Sequence, residues 1–462
     1  MSTPSALESL SGSETRPIRV VTAASLFDGH DAAINIMRRL LQSQGAEVVH
    51  LGHDRSVQEI VEAAIGEDAH AIAVSSYQGG HVEFFSYLVE LLRARDAGDI
   101  LVFGGGGGTI TEAEIELLQG RGVAQIFSPE DGRKLGLEGM IAAMLTRCRQ
   151  AAVQRAEKRS AQPFEATLAD LSPENTGFVA RLITDLEEGS GEEEGRGAAA
   201  LRAGLAQRIQ DGRRTPVIGF TGTGGAGKSS VVDELVRRHR LDYPEERIAL
   251  LLIDPTRRRS GGALLGDRIR MNSIHGEGVF VRSMATRRAH LAISNAVRDA
   301  IQVLQAADYD VVFVETAGIG QSDSEIVDLA DASLYVMTPE FGAPSQLEKI
   351  DMIDLADLIV LNKSDRHGAE DALRDIRKQW RRNHVQFEVA DEQVPVFPTV
   401  ARRWRDPGTD RLYRALRRKI ESLREGHAEA GSEERAEPVG EQLDEITIPA
   451  SRSRYLSEIA QC

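Results

Sequence analysis

Pro216-Val-Ile-Gly-Phe-Thr-Gly222-Thr-Gly-Gly-Ala-Gly-Lys228-Ser229 runs from an apolar strand pattern through a glycine-rich turn into the helical pattern of Ser230 to Arg238. Strand, Gly-x-x-x-x-Gly-Lys-Ser loop and helix, in that order, form a cradle for phosphates. Backbone N–H groups of Gly222, Gly224, Gly225, Ala226 and Gly227 converge on phosphate oxygens, with the helix N-terminus behind them. Lys228 neutralises the terminal phosphates and Ser229 offers its hydroxyl to magnesium. A charge-assisted hydrogen bond contributes roughly 1.5–3 kcal/mol, so several together hold a nucleotide. The stretch predicts a P-loop α/β domain.

Downstream, Ala356-Asp-Leu-Ile-Val-Leu361 reads as a strand that delivers Asn362-Lys363-Ser364-Asp365 to its carboxyl end. A carboxylate at Asp365 accepts both N–H groups of guanine's Watson–Crick edge, while Asn362 donates to the purine and Lys363 covers the ring. Adenine offers that carboxylate no such pair, and sites built on buried polar pairing reject the wrong partner by about 10⁴-fold or more. GTP is therefore the expected nucleotide. Three acids frame the metal: Asp254 ends the strand Ala249 to Ile253, Asp267 follows the loop Ser260-Gly-Gly, and Glu315 ends the strand Val311 to Val314. Magnesium prefers such hard oxygen ligands beside phosphates.

The first 150 residues alternate strands with helices. Strands are read at Ile18 to Ala24, Glu47 to Leu51, His70 to Ser76, Ile100 to Phe103 and Val123 to Phe127. Helices are read at Asp31 to Gln44 and Ser56 to Ile65, and from His81, Thr111 and Asp131. The alternation predicts a parallel, doubly wound sheet of the flavodoxin type, whose ligands lie beyond the strands' carboxyl ends. Four loops share that edge: Asp28-Gly29-His30, Ser75 to His81, Gly104 to Gly108, and Ser128 to Asp131. His30 can present a neutral imidazole to a metal and Asp28 can accept the other ring N–H, although taken alone Asp28 could equally cap the following helix. The glycine run is expected to pass flat against something bulky.

Taken together these loops resemble the cobalamin-binding domain of acyl-CoA mutases and methionine synthase. That family's Asp-x-His-x-x-Gly, Ser-x-Leu and Gly-Gly read here as Asp28-Gly29-His30-Asp31-Ala32-Ala33, Ser75-Ser76-Tyr77 and Gly104-Gly105. Ala33 and Tyr77 depart from the pattern, which implies a slightly reshaped pocket for the cofactor's nucleotide tail. The resemblance implies His30 as the lower cobalt ligand and Ser75 as a contact of the displaced tail.

The second half, about Leu201 to Leu423, resembles the metallochaperone-type GTPases that attend methylmalonyl-CoA mutase. Asp254-Pro255-Thr256, Gly261-Gly262, Gly266-Asp267-Arg268, the run Glu315 to Ser322, and Asn362 to Asp365 carry this likeness. It implies magnesium near Ser229, Asp254, Asp267, Glu315 and the carbonyls of Ile253 and Thr316, with Arg270 close to the phosphates. Catalytic roles fall to Lys228, Glu315 and Gln321. Gln321, Arg282, Arg287 and Arg288 are candidate switch elements, and the group that activates water is unassigned.

The order of the two domains resembles the N-terminal half of fused isobutyryl-CoA mutases, which use adenosylcobalamin. A substrate barrel needs about 250 residues, and residues 424–462 are too few to supply one. The expectation is thus a GTP-hydrolysing cobalamin module, using GTP, magnesium and adenosylcobalamin. A substrate-binding domain or subunit would complete it, in a homodimer or hetero-oligomer. The alternative is a corrinoid-binding GTPase chaperone or sensor without a mutase partner.

The expected division is a flexible N-terminus (1–16), a cobalamin-binding domain (17–150), a linker (151–200) in which Leu168 to Ile183 could form helices packing on either neighbour, a GTPase domain (201–423) and a C-terminal tail (424–462). Lys and Arg number 55 against 71 Asp and Glu, and the net charge of −16 argues against nucleic-acid and anionic-lipid partners. Cys148 and Cys462 have no metal or redox spacing, and no apolar run reaches membrane-spanning length. A cytoplasmic protein is expected.

Overall fold

A computed structural model describes residues 17–29, 31–160, 168–189, 196–255, 262–265, 267–286, 291–316, 318, 325–341, 347 and 350–425. The first sheet contains β1 (Arg19–Ser25), β2 (Glu47–Arg55), β3 (Ala71–Ser75), β4 (Leu101–Gly105) and β5 (Gln125–Phe127). These pair in the parallel order β5-β4-β3-β1-β2, the expected flavodoxin arrangement. Between and after them run α1 (Asp31–Ser43), α2 (Val57–Gly66), α3 (His81–Ala94), α4 (Glu112–Arg121) and α5 (Pro129–Ser160). All seven residues of β1 are buried, as a central parallel strand covered on both faces requires. Ser56 and Thr111 start α2 and α4 with capping boxes closed by Glu59 and Glu114.

The second sheet contains β6 (Val217–Gly222), β7 (Ile248–Pro255), β9 (Val279–Thr286), β10 (Val311–Glu315), β11 (Ala332–Met337), β12 (Leu358–Asn362) and β13 (Val396–Thr399). Its order is β13-β12-β11-β6-β10-β7-β9, with every recorded pair parallel. The phosphate-loop strand β6 is central, flanked by β10 and β11. The helices of this half are α6 (Thr176–Gly189), α7 (Arg196–Asp211), α8 (Lys228–Asp242), α9 (Leu291–Ala306), α10 (Met352–Leu355), α11 (Ala369–Asn383) and α12 (Pro407–Glu425).

Two features depart from the expected organisation. The span 151–200, read as a linker, carries α6 and the start of α7. Val179, Ile183, Leu186, Leu201 and Leu205 on these helices are buried in the same core as β6, β7 and β10. Their helical spacing gives each segment one apolar face, so each packs against α9 rather than staying solvated. Residues 190–195 of the acidic, glycine-rich stretch lie outside the described residues.

The second departure is a sixth strand in the first sheet. β8 (Ala263–Leu265) lies in sequence between β7 and β9 of the second sheet, yet it pairs parallel to β2, with Glu47 opposite Ala263 and Val49 opposite Leu265. The open edge of β2 is thereby covered, the usual remedy for exposed strand hydrogen-bonding groups.

Helix α12 is fastened to the second sheet by Glu246. Its carboxylate accepts from Arg417 at 3.0 and 3.3 Å and from Arg424 at 2.9 and 2.9 Å, and lies 2.9 Å from His239 Nε2. Burial alone would raise this carboxyl's pKa, but His239, Arg424 and Arg417 together hold it far below the usual carboxylate range. A depressed folded-state pKa contributes stability above the unfolded value of about 4.3, and that stability is lost as pH falls. Glu246→Gln should therefore lower stability at neutral pH by roughly 2 kcal/mol. It should also flatten the loss of stability below about pH 4.5. Urea denaturation from pH 7 to pH 3 measures both, and an unchanged slope would refute the assignment.

Candidate functional site

The phosphate loop is shaped by its neighbours. Gly222 sits at φ +142°, and a Cβ there would lie 1.9 Å from the carbonyl oxygen of Val336 on β11. Gly227, at φ +91°, precedes α8 with no side-chain cap, so the first N–H groups of that helix are left for an anion. Lys228 is buried, and its Nζ donates to the carbonyls of Gly222 at 3.0 Å and Thr223 at 3.3 Å. The ammonium is thus held inside the loop it serves. Gly318, at φ +62°, comes so close that a Cβ would lie 2.1 Å from Gly222 O and 2.2 Å from Lys228 Nζ.

Oxygen donors gather at the carboxyl ends of three adjacent strands, β6, β10 and β7. The Ser229 hydroxyl, just beyond β6, donates to Glu315 Oε1 at 2.7 Å, and Asp254 ends β7 as a buried carboxylate. A hydroxyl and two carboxylates fit a hard cation such as magnesium. Thr316 N donates to Phe220 O at 2.9 Å, fixing the chain just after Glu315. Asp267 and Arg270 bound a short 3-10 turn, and Arg270 is exposed. Gly266, Gln321, Arg287 and Arg288 lie outside the described residues, and only the backbone of Asp267 is described.

Arg282, read as a switch element, is fully buried in β9. Its Nη2 donates to Glu187 Oε2 at 2.7 Å and Thr184 Oγ1 at 2.9 Å on α6. That is a structural tie, because a guanidinium without water needs a carboxylate and fixed acceptors around it.

Asn362 to Asp365 end β12 beside the phosphate loop. Asn362 Nδ2 donates to Ala226 O at 2.8 Å, and its Oδ1 accepts from Ala401 N at 3.1 Å. Lys363 adopts φ +58° and reaches back to Gly225 O at 2.6 Å. Ser364 Oγ donates to Thr399 O at 3.0 Å. Asp365 Oδ2 accepts from Arg402 at 2.6 Å. Burial raises the Asp365 pKa, but the Arg402 hydrogen bond, a backbone hydrogen bond and the charges of Arg402 and Arg366 together outweigh it and leave the carboxyl below its usual range. A cleft lined by Gly227, Ser230, Asn362, Lys363, Asp365 and Ala401 lies between the two loops. The loop after β13, Val400 to Arg402, also lines it, and sequence reading missed this wall. Only its position after an apolar run could have pointed to it.

On the first sheet, Asp28 is fully buried at the carboxyl edge, and its Oδ2 accepts the Tyr77 N–H at 2.7 Å. The β1 and β3 loops are thereby locked together. Ser75 Oγ is buried without a hydrogen-bond partner among the described residues, which fits a hydroxyl awaiting a ligand. The glycine run has a different cause from the one expected at three of its positions: besides Gly104, a Cβ at Gly106 would lie 2.2 Å from Ser76 O and one at Gly107 2.4 Å from Tyr77 Cε1. A Cβ at Gly104 would lie 2.4 Å from Phe85 Cζ, so the protein's own core demands that glycine. At Gly105 a Cβ would make ordinary contact with Phe127 O at 3.6 Å, and at Gly29 none of the described residues lies within 4 Å. His30 lies outside the described residues.

Phosphate loop, base loop and oxygen donors on one edge of a parallel sheet define a P-loop nucleotide-binding protein, here preceded by a flavodoxin-like domain. The B12 binding domain family matches residues 18–135, and the family described as "Methylmalonyl Co-A mutase-associated GTPase MeaB" matches residues 179–449. The chain belongs to this mutase-associated GTPase family and carries a B12-binding domain in front of it.

Among curated proteins, it is 50% identical over 96% of its length to fused isobutyryl-CoA mutase of Geobacillus kaustophilus, and 51% identical over 96% to that of Cupriavidus metallidurans. It covers 40% and 39% of those two proteins, so it spans about two fifths of the relatives it matches. GTPase ArgK of Escherichia coli is 34% identical over 35% of this chain and 52% of its own. No helix among the described residues is long and apolar enough to cross a membrane.

Asp365→Ala should erase most of the preference for GTP over ATP while leaving the phosphate loop intact. The expected fall in the ratio of the two affinities is on the order of 10²-fold or more, since the site loses its paired acceptor. Competition between the two nucleotides for a fluorescent analogue measures it, and a ratio unchanged from wild type would exclude Asp365 as the base reader.

Proposed function

We propose that the chain is the GTP-hydrolysing, adenosylcobalamin-carrying module of an acyl-CoA mutase. Joined to a substrate-binding barrel, in the same polypeptide or a partner subunit, the assembly interconverts isobutyryl-CoA and n-butyryl-CoA. The GTPase acts as the chaperone that loads and protects the cofactor. The observation that carries this reading is the union of a phosphate loop and a B12-binding domain in one compact unit, in a chain half identical to named fused mutases along nearly its whole length. We place it in the cytoplasm, in a homodimer or hetero-oligomer.

In this reading His30 would hold the cobalt, Asp28 would orient it and Ser75 would contact the cofactor's nucleotide tail. The corrin supplies the radical chemistry of the rearrangement when bound. Backbone N–H groups of residues 222–227 and Lys228 bind the GTP phosphates. Ser229, Asp254, Asp267 and Glu315 would hold magnesium, aided by the carbonyls of Ile253 and Thr316, while Arg270 lies close to the phosphates and Gln321 serves as a catalytic switch element. GTP changes corrin exchange to the extent that its affinity differs between the two states of the corrinoid domain.

The test uses the full chain loaded with cob(II)alamin. Its electron paramagnetic resonance should show hyperfine splitting from a protein imidazole nitrogen, abolished by His30→Ala. Lys228→Ala should abolish GTP hydrolysis without changing corrin uptake. A chain that hydrolyses GTP but takes up no corrin would overturn the mutase reading, and hydrolysis that survives Lys228→Ala would overturn the GTPase one.

A further inference from the structure

The segment carrying Asp267 is built into the wrong domain for a self-contained GTPase. On its N-terminal side, Ala263–Leu265 form the outermost strand of the corrinoid sheet, paired with Glu47, Val48 and Val49. On its C-terminal side, Arg268 is buried and its Nη1 donates to Glu67 Oε1 at 3.1 Å and to Val281 O at 3.3 Å. The next residue, Ile269, lies against Gly52 on β2. A Cβ at Gly52 would be 2.8 Å from Ile269 Cδ1, and at φ +88° that position already favours glycine. The 3-10 turn Asp267–Arg270 also touches α8 and β7, the elements that bear Ser229 and Asp254.

Glu67, just beyond α2, is the centre of these ties. It has no solvent exposure, and its carboxylate accepts from Arg268, from Ser283 N at 3.0 Å and from Ser283 Oγ at 2.8 Å. Arg19 Nη1 lies 3.6 Å from its other oxygen, and Arg19 is itself paired with Glu47 at 2.9 Å. One corrinoid-domain carboxylate therefore fixes both β9 and the turn beside Asp267.

We propose that Glu67 is a positioning residue for GTP hydrolysis: through Arg268 it sets the backbone of Asp267 at the magnesium site. This rests on the reading of Asp267 as a magnesium-binding residue given above. Groups that orient a metal ligand from behind typically contribute tenfold or more to metal affinity or activity. On this reading the corrinoid domain is part of the GTPase's magnesium site.

The experiment compares full-length wild type with Glu67→Gln, which keeps the shape and an acceptor oxygen. Ile269→Ala serves as the second variant, because it loosens the same turn without burying an unpaired charge. Two quantities are read at fixed nucleotide: the magnesium concentration for half-maximal GTP hydrolysis, and the magnesium dependence of the release rate of a fluorescent GDP analogue. Both variants should need on the order of tenfold more magnesium in each assay. The maximal rate should return at saturating magnesium, and nucleotide affinity in the presence of a chelator should stay as in wild type. An unchanged magnesium requirement in either folded variant would overturn the proposal, as would a lost rate that magnesium does not restore. Wild type that hydrolyses no GTP, or does so without magnesium, would sink the functional reading instead.

Discussion

A carboxylate with no access to water lies between the two halves of this protein, and their joint geometry depends on it. Glu67 accepts from an arginine and a serine of the GTPase half while facing an arginine of its own half. Arg19, Glu47 and Arg282 are equally hidden, and Arg282 in turn reaches Glu187 on α6. Buried charges of this kind add little net stability when paired, but removing one partner typically costs 3–5 kcal/mol in other proteins, about the range expected here. The interface is therefore specified by register more than strengthened. A sliding or rotated arrangement would leave charges unmatched, whereas an apolar interface would tolerate it.

From that fixed contact the two ligand edges take their relation. The P-loop edge is assembled from the ends of β6, β10 and β7, and the β7–β9 pair lies next to the corrinoid sheet through β8 and α2. The corrinoid edge is assembled from the ends of β1, β3 and β4, where Asp28 ties two loops together. Neither edge is isolated from the other, because β8 interrupts the GTPase sequence to complete the corrinoid sheet.

Much of this was readable from the amino-acid order. Strand patterns such as Ile18 to Ala24 and Pro216 to Phe220 announced buried parallel strands, and the glycine–lysine–serine and Asn-Lys-Ser-Asp loops kept their meaning because each follows such a run. Three kinds of information were hidden. A three-residue strand flanked by glycines has too short a pattern to separate from a loop, so β8 went unseen. Arg282 read as a switch element and nothing marked Arg19 or Arg268 as buried, because sequence alone does not reveal that distant glutamates meet them. Gly104 read as a ligand contact, because nothing in the order of residues shows that Phe85 from α3 fills the space above it.

Strand β8 also bears on how the chain is made. Domains generally fold as units, the N-terminal one first during synthesis. Here the corrinoid sheet emerges early with β2 as a bare edge, and its cover arrives only when residues 263–265 have left the ribosome. An uncovered strand edge is a template for pairing with other chains. During the interval between translation of β2 and translation of β8 that edge lacks its cover, and slow elongation across residues 56–262 would lengthen it.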